Sequence, residues 1–481
     1  MLFNSYEFLI FLPIVLMILW AIPDRFKNTF LLVASYFFYM NWNPIYGFLL
    51  LLCTAVTYIS AISIGEKFTN RPRIKKKILI GMLIIIFGIL FYYKYFTMVY
   101  VYSGKILSHI GLNLSFTEKN IILPVGISFF TFQSVAYVID VYRGDVRAEK
   151  NFIKYALFIS FFPQLVAGPI ERSRNLLKQL NGNYRITVHN VKEGLLIILW
   201  GYFLKIVIAD RAAIFVDAVY DNIALKSSLE IIIATVLFAF QIYGDFGGYS
   251  LIAKGIAKLM GISIMDNFNS PYISLSVREF WRRWHISLNT WFTDYLYIPL
   301  GGSQKGQIRT YFNTMIVFLL SGLWHGAGLT FVLWGMVNGI YVIFEKITKI
   351  KKCTLPIMRI VQGIVTFILV DFAWMFFRSQ GIYNVKAIFA RLYTGQDDFD
   401  LHSCFLNNGL NMANMILLLI AIIFMMCVDY YSKDGKRVRT TILKQPFAIQ
   451  SMVVISAILV IMIFGIWGNE YDAANFIYFR F

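Results

Sequence analysis

Charged residues are scarce in this chain of 481 residues. Asp, Glu, Lys and Arg together make up 15% of it, whereas a soluble domain contains about 25%. Apolar residues make up 58% of the chain and aromatic residues 17%. This balance excludes an ordinary soluble domain and indicates a polytopic membrane protein, which we expect to form one integral unit without a separate soluble domain.

Cysteine and histidine are also rare, with four and five copies. The cysteines lie far apart, at Cys53, Cys353, Cys404 and Cys427, so neither a disulfide framework nor a zinc ribbon is indicated. A metal site needs three or four ligands, and two histidines without obvious partnered carboxylates predict none. The chain also has no Walker motif, no dinucleotide fingerprint and no Gly-x-Ser-x-Gly elbow for a Ser-His-Asp triad.

Long apolar runs, by contrast, recur along the chain. A helix needs about 20 apolar residues to cross the hydrocarbon. The clearest candidates are 8–22, 46–64, 78–96, 195–214, 231–249, 331–344, 361–377, 415–428 and 452–466. The first has no basic segment before it and no cleavage pattern after it, which predicts a retained span. Shorter or interrupted runs are 28–40, 121–139, 152–170 and 311–323. Broken helices are tolerated in membranes where they are buried or line a cavity, so we expect the middle of the chain to carry the site.

The net charge of +18 resides mainly in short loops between apolar runs. This is the positive-inside pattern of membrane proteins rather than a nucleic-acid surface, and it also attracts anionic lipids. Loops 66–77, 346–352 and 432–444 are strongly basic and are predicted to be cytoplasmic, whereas 97–120 and 378–414 should face outward. Both termini are then predicted outside, which requires an even number of spans. No internal repeat indicates an inverted-repeat transporter.

Residues 276–297 are predicted to form one amphipathic helix. One interpretation is an interfacial helix with its indoles among the lipid headgroups. The other turns the polar face toward an internal cavity, where arginines bind an anionic donor such as nucleotide phosphates. The polar face carries Arg278, Arg282, His285 and Asn289, and the aromatic face Val277, Trp281, Trp284, Leu288, Trp291 and Tyr295.

His325 lies in the apolar segment Ser321-Gly-Leu-Trp-His-Gly-Ala-Gly328. An ionisable side chain at membrane depth is costly and therefore a functional candidate, and histidine suits proton transfer near neutral pH. The flanking glycines would leave room for a substrate chain. The alternative for His285 and His325 alike is a structural histidine bonded to neighbouring carbonyls or hydroxyls.

Other polar residues are also predicted at membrane depth. Asp245 either orients a histidine through its ring N–H or forms a hydrogen bond between helices. The set comprises Gln133, Asp140, Gln164, Glu171, Gln241, Asp245 and Asn338.

Long motifs along nearly the whole chain resemble the membrane-bound O-acyltransferase family, in its bacterial branch for O-acetylation of alginate and other polysaccharides. The motifs are Met1-Leu-Phe-Asn-Ser-Tyr-Glu7, Tyr39-Met-Asn-Trp-Asn-Pro44, Pro124-Val-Gly-Ile-Ser-Phe-Phe-Thr-Phe-Gln133, Phe161-Phe-Pro-Gln-Leu-Val-Ala-Gly-Pro169, Glu279-Phe-Trp-Arg-Arg-Trp-His-Ile-Ser-Leu288, Asp294-Tyr-Leu-Tyr-Ile-Pro-Leu-Gly-Gly302, Gly322-Leu-Trp-His-Gly-Ala327 and Phe476-Ile-Tyr-Phe479.

The resemblance implies an all-α polytopic fold of about eleven transmembrane helices plus re-entrant or interfacial helices around a central tunnel. An odd count conflicts with the even count that the charge pattern requires. We expect one integral domain over 1–481, with scaffold helices in 1–115, a catalytic core with the tunnel in 120–346 and C-terminal helices in 356–481. Relatives often have Cys and Ser where this chain has Gly244 and Gly247, which speaks against an acyl relay at those positions.

The resemblance also implies a function in the bacterial inner membrane. Acetyl-CoA is the expected donor, as a substrate rather than a tightly bound cofactor. The acetyl group is expected to pass to a separate extracytoplasmic O-acetyltransferase with a serine nucleophile, which modifies the polysaccharide.

The same resemblance makes His325 the catalytic histidine and His285 the second functional one. Two alternatives are a lipid or protein acyltransferase of the same superfamily and a non-catalytic transporter or export scaffold. The expected donor-binding residues are Arg278, Arg282, Arg283, Trp284, Trp324 and Asn289, and the supporting residues are Asp245, Gln241 and Asn338, with Trp324 or Asn338 as the oxyanion's hydrogen-bond donor.

Overall fold

The computed structural model describes residues 1–109, 121–166, 168–180, 186–349, 353–395, 401–433, 435, 437–467 and 477, and all regular secondary structure within them is helical. The predicted segments 97–120, 346–352, 378–414 and 432–444 lie partly outside the described residues, as does the motif at 476–479, of which only Ile477 is described. The predicted all-α fold is confirmed for the described part of the chain.

The chain forms two compact units, of which the first comprises Met1–Val191 and Ile256–Met265. Its interrupted run 152–170 is indeed broken: Phe161 has an extended ψ of 107° between two helices, and Pro163 lies in the first turn of the second one, where proline is tolerated. The helices of this unit are α1 Tyr6–Ala21, α2 Asp24–Met40, α3 Pro44–Ile62, α4 Pro72–Lys94, α5 Phe96–His109, α6 Ile127–Arg143, α7 Phe152–Ser160, α8 Phe162–Leu165 and α9 Leu176–Gln179.

The second unit comprises Lys192–Gly255 and Asp266–Phe481. Its helices are α10 Val188–Tyr202, α11 Asp210–Tyr220, α12 Ser228–Ile242, α13 Gly248–Leu259, α14 Val277–Arg283, α15 Ile286–Phe292, α16 Gln307–His325, α17 Leu329–Thr348, α18 Pro356–Arg378, α19 Ile382–Thr394, α20 Leu401–Leu406, α21 Met412–Ser432, α22 Val438–Leu443 and α23 Phe447–Phe464. Phe203–Ala209, Tyr243–Gly247 and Thr293–Tyr297 are π-helical turns, like Ser63–Lys67 in the first unit, and Ile223–Leu225 and Pro271–Ile273 are 3-10 turns.

Six helical runs among the described residues are long and apolar enough to cross a membrane. All six overlap spans predicted from the apolar runs, which supports an integral membrane protein. The predicted run 8–22 forms the shorter apolar helix α1. The count of about eleven, the domain division and the sides of the termini remain predictions. The six runs are Pro44–Lys67, Ser228–Leu259, Leu329–Thr348, Pro356–Arg378, Met412–Ser432 and Phe447–Phe464.

The prediction of one helix over 276–297 is wrong. The chain breaks between α14 and α15, where Trp284 is extended and His285 adopts a left-handed conformation with φ 44°. The side-chain amide of Asn289 donates to the Trp281 and Trp284 carbonyls at 2.5 and 2.6 Å, and the Ile286 N–H donates to the Asn267 carbonyl at 2.9 Å. These hydrogen bonds replace the helical ones that the break removes. The Trp281 and Trp284 carbonyls therefore keep a donor despite the break.

Helices α10 and α13 approach each other through glycines. A Cβ atom at Gly201 would lie 2.7 Å from the Gly248 carbonyl oxygen, and one at Gly255 would lie 2.7 Å from the Gly194 carbonyl oxygen. Small residues at such contacts let membrane helices pack backbone to backbone. The π-helical turn Phe203–Ala209 directly follows α10, and the π-helical turn Tyr243–Gly247 directly precedes α13. The close packing of the two helices therefore brings these turns together.

Candidate active site

His285 and His325 come together in the second unit. Their ring centroids lie 6.2 Å apart, and both residues are buried, at 1% and 4% exposure. His325 is the last residue of α16, whereas His285 directly precedes α15. The sequence therefore identified two histidines that the fold gathers into one place.

Aromatic rings surround the two imidazoles. Trp324 contacts both, with centroids 5.8 Å from His285 and 4.9 Å from His325. Trp334 and Phe377 contact His325 at 5.1 and 5.3 Å. Burial lowers the pKa of His285, which lies outside the six candidate spans, to about 3. A neutral imidazole at physiological pH follows, and such a ring offers one N–H donor and one nitrogen acceptor.

The backbone of His285 is strained. Its φ of 44° is one of three positive values at non-glycine residues in the described part of the chain. Such conformations cost about 1–3 kcal/mol and persist where the surroundings impose them, often at functional sites. Asn267 holds the following turn, since its Oδ1 accepts from the Ser287 hydroxyl at 2.6 Å in addition to the backbone bond to Ile286.

The glycines around His325 serve helix packing. A Cβ atom at Gly322 would lie 2.2 Å from the Phe331 carbonyl oxygen, and one at Gly326 would lie 2.1 Å from the Phe331 ring. The expected room for a substrate chain at these two glycines is therefore filled by Phe331, a correction that the sequence could not foresee. The close approach instead fixes the end of α16, and with it His325, against α17.

A cavity of about 770 Å³ extends along α16. The lining residues of this helix repeat at three and four positions, so they share one face. From Gln307 to Ser321 this face runs about 21 Å along the helix axis. His325 lies one turn beyond Ser321 on the same face. The lining residues of α16 are Gln307, Thr310, Tyr311, Thr314, Val317, Phe318 and Ser321.

Three cations line the cavity, and we call Arg278, Arg282 and Lys346 the cationic cluster. The Lys346 ammonium donates to the Thr314 hydroxyl at 2.6 Å, so the cluster meets the cavity face of α16 at that turn. Neither guanidinium forms an ion pair within the described residues. Unpaired cations around a cavity are suited to binding an anionic group.

Three of the six residues expected to bind the donor line this cavity: Arg278, Arg282 and Asn289. Arg283 instead pairs with Glu279, 3.0 Å away, and donates to the Asn269 carbonyl at 3.1 Å.

The two expected tryptophans lie elsewhere. Trp284 is 1% exposed and packs on Phe280 and Trp374, with centroids 5.4 and 5.0 Å away. Trp324 contacts both histidine rings and does not line the cavity. Arg283 lies five positions after Arg278 on α14, which places it off the helix face of Arg278. Trp284 lies in the extended backbone that follows the helix.

The supporting residues have distinct environments. Asn338 accepts from the Trp281 indole at 3.2 Å and donates to the Trp334 carbonyl at 2.8 Å, so it fixes Trp281 in the cavity wall. Asp245 forms an ion pair with the Lys205 ammonium, 2.6 Å from its Oδ1, and its Oδ2 accepts from the Ile477 N–H at 2.7 Å. This arrangement favours the interhelical interpretation of Asp245 over direct orientation of a histidine. Gln241 is buried, and its Oε1 has no hydrogen-bond partner among the described residues.

Sequence reasoning missed Lys205 and its second partner Asp210, which accepts from the same ammonium at 2.8 Å. Both lie at the centre or end of the predicted span 195–214, where charged residues are uncommon. That position was the available signal. The sequence reasoning also missed Phe377 and Phe246, because a phenylalanine in an apolar segment does not differ from its neighbours.

Comparison with known proteins agrees with this architecture. The sequence profile described as "MBOAT, membrane-bound O-acyltransferase family" matches residues 146–385. The chain is 36% identical to the probable alginate O-acetylase AlgI of Pseudomonas syringae pv. tomato, over 91% of this chain and 84% of that protein. It is 35% identical to the peptidoglycan O-acetyltransferase of Helicobacter pylori, over 74% and 72%, and 27% identical to the teichoic acid D-alanyltransferase of Bacillus subtilis, over 55% and 71%.

A membrane protein that is helical throughout its described secondary structure, with two buried histidines beside a cavity, is consistent with a membrane acyltransferase. The chain belongs to the membrane-bound O-acyltransferase family and is a membrane-bound O-acyltransferase. This membership decides against the alternative of a non-catalytic transporter or export scaffold.

Proposed function

We propose that this enzyme takes an acetyl group from acetyl-CoA in the cytosol and delivers it across the bacterial inner membrane for O-acetylation of an exopolysaccharide or cell-wall glycan. The observation that carries the proposal is the single face of α16 that lines the cavity and continues to His325. The named relatives act on alginate, peptidoglycan and teichoic acid, which supports a polysaccharide as the final acceptor here.

The cationic cluster is the proposed site for the phosphates of the donor. Guanidinium groups bind phosphate with two parallel hydrogen bonds, and an ammonium binds it as a point charge. Lys346 is the first residue of the basic segment 346–352 that is predicted to be cytoplasmic, which fits a cytosolic donor. From Thr314, where the cluster meets α16, to His325 the helix extends about 17 Å. An extended thioester arm would follow this face.

His325 is the proposed general base. It accepts the proton of the acceptor hydroxyl, whose oxygen bonds to the thioester carbonyl carbon. The carbon–sulfur bond then breaks, and the thiolate leaves with the proton that His325 has accepted. Trp324 lies against both rings, so its indole N–H is the proposed donor to the developing oxyanion. His285, fixed in its left-handed conformation, positions the donor beside His325.

The acceptor side is proposed to involve a second protein. An extracytoplasmic O-acetyltransferase with a serine nucleophile would receive the acetyl group and pass it to the glycan. The enzyme would then act on the polysaccharide indirectly. The expected contact with anionic lipids follows from the basic loops.

Acetyl transfer by purified protein in lipid nanodiscs tests this function. Radiolabelled acetyl-CoA is supplied together with the candidate outer acetyltransferase, and label on that partner is measured. His325→Ala should lower the rate by about 10²- to 10⁴-fold, the usual contribution of a general base. His189→Ala is the matched control, because this histidine is exposed and lies on α10 outside the site.

Two outcomes contradict the proposal. A rate near that of the wild type in His325→Ala overturns the assignment of the base. Transfer from palmitoyl-CoA in preference to acetyl-CoA overturns the proposed donor and favours the lipid or protein acyltransferase alternative.

A further inference from the structure

A buried ion cluster joins two helical runs of the second unit. The Lys205 ammonium lies 2.6 Å from the carboxylate of Asp245 and 2.8 Å from that of Asp210, and none of the three residues is more than 7% exposed. Charged side chains buried within a membrane protein are expensive and usually serve function. The proposed acetyl-transfer chemistry uses none of them, so their role needs another explanation.

The cluster connects two π-helical turns. Lys205 lies in Phe203–Ala209 and Asp245 in Tyr243–Gly247. Such turns insert one extra residue into a helix and are frequent at functional sites. The two backbones approach closely, because a Cβ atom at Gly244 would lie 2.7 Å from the Leu204 carbonyl oxygen. The ion pair therefore fixes how one turn sits on the other.

The turn Tyr243–Gly247 packs against the break that carries His285. The Phe246 ring lies 4.7 Å from the His285 ring, and the Tyr243 ring lies 6.1 Å from that of Trp284. His285 holds a left-handed conformation that its surroundings must impose. Phe246 contacts the imidazole itself, so a displacement of the turn Tyr243–Gly247 would displace the His285 ring.

We propose that the Lys205–Asp245 pair is a positioning device for His285. By fixing the π-helical turn Tyr243–Gly247, the pair places Phe246 against the imidazole and keeps the ring beside His325. Lys205 and Asp245 are positioning residues that act through Phe246, and Asp210 completes the charge environment of the ammonium. The inference rests on the proposed role of His285 in acetyl transfer.

The test measures kcat and the KM for acetyl-CoA in Asp245→Asn, in Lys205→Met and in the double variant, each normalised to folded protein from size-exclusion chromatography. Each single variant should lower kcat by about tenfold to a hundredfold, since small displacements of a reacting group have effects of that size. The KM should stay within about twofold, because the cationic cluster is left intact. The double variant should be no slower than the slower single variant, as expected for residues that act as one unit.

Glu193→Gln is the matched control. It breaks another carboxylate–cation contact of α10, the one with Arg439 at 2.9 Å, without touching the π-helical turns, and it should keep the parent kcat. Phe246→Leu removes the ring but leaves the ion cluster, so it should reproduce the loss of kcat. Phe246→Tyr keeps a ring on the imidazole and should restore most of the rate.

A readout independent of acetyl transfer separates this inference from the proposed function. In protein labelled with 13C-histidine, the His285 signal, assigned with His285→Gln, should shift in Asp245→Asn and stay in place in Glu193→Gln. An unshifted signal, an unchanged kcat per folded molecule in both single variants, or full activity of Phe246→Leu overturns the positioning role. Failure of the wild-type protein to transfer acetyl overturns the proposed function and leaves the histidine signal to decide the positioning role.

Discussion

The side-chain amide of Asn289 donates to the Trp284 carbonyl at 2.6 Å, directly before the left-handed His285. The same amide holds the Trp281 carbonyl at 2.5 Å, so one side chain satisfies two carbonyls that the helix break sets free. Asn289 also lines the cavity. It therefore ties the wall of the cavity to the backbone geometry of His285.

Asn289→Leu should consequently lower both stability and activity. Each buried carbonyl left without a donor costs about 1–3 kcal/mol, and the backbone at His285 loses a constraint. We expect a lower thermal midpoint and a lower kcat, measured on the same nanodisc sample. The control is Thr290→Val, a neighbouring cavity residue whose hydroxyl donates to the Ile286 and Ser287 carbonyls of its own helix. Equal stability and activity in Asn289→Leu and Thr290→Val would contradict the role of this amide.

Neutralising the cationic cluster should weaken donor binding without slowing the chemical step. For Arg278→Gln or Arg282→Gln we expect the KM for acetyl-CoA to rise about tenfold or more, since charge-assisted hydrogen bonds contribute about 1.5–3 kcal/mol. The KM of the wild type should also rise with ionic strength, because salt screens charges at an open cavity. Arg309→Gln is the matched control, because this arginine lies on α16 but outside the cavity lining. A fall in kcat at constant KM would place the cluster elsewhere in the mechanism.

The sequence was sufficient to predict those features that depend on local composition. The run at 46–64 is part of a helix long and apolar enough to span the membrane. Its apolar side chains alone favour the hydrocarbon over water, so the prediction needed only local composition. His325 stood out for a similar reason, as an ionisable residue inside an apolar segment. Such features need no knowledge of distant residues.

Features that depend on distant partners were not predictable. The break at Trp284 and His285 contains neither glycine nor proline, and the helical periodicity passes through it undisturbed. It is imposed by contacts with Asn267 and Asn289. Lys205 was overlooked for a related reason, because its partner Asp245 lies on another helical run.

Gly326→Ala should inactivate the enzyme. The added Cβ atom would lie 2.1 Å from the Phe331 ring, and overpacking of this kind typically costs about 1–3 kcal/mol. Because Gly326 directly follows His325, the strain should move the imidazole as well as destabilise the fold. Acetyl transfer and the thermal midpoint are both expected to fall.

Gly328→Ala is the comparison for this change. There the nearest atom of Phe331 would be 3.5 Å from the new Cβ, an ordinary contact, and the backbone φ of −155° suits any residue. This variant should retain most of the activity. Comparable losses in the two variants would mean that the packing against Phe331 is not what fixes His325.

In the first unit, Glu171 is fully buried and lies outside the candidate spans. Its carboxylate accepts from the Met265 N–H at 2.5 Å and from the Asn175 amide at 2.8 Å. Burial outweighs these hydrogen bonds and raises the pKa of Glu171 from 4.5 to about 7. The folded state therefore holds this proton more tightly than the unfolded chain does.

Stability should depend on pH accordingly. A raised carboxyl pKa favours folding when the group is protonated, so this contribution is full below pH 4.5 and is lost as the pH rises toward 7. The loss amounts to about 3 kcal/mol if the whole shift is realised. The thermal midpoint of the wild type should fall between pH 5 and pH 8, whereas Glu171→Gln, which keeps an acceptor for the Met265 N–H, should have a flatter profile. If both proteins lose stability equally over this range, the buried carboxyl of Glu171 is not the group that responds.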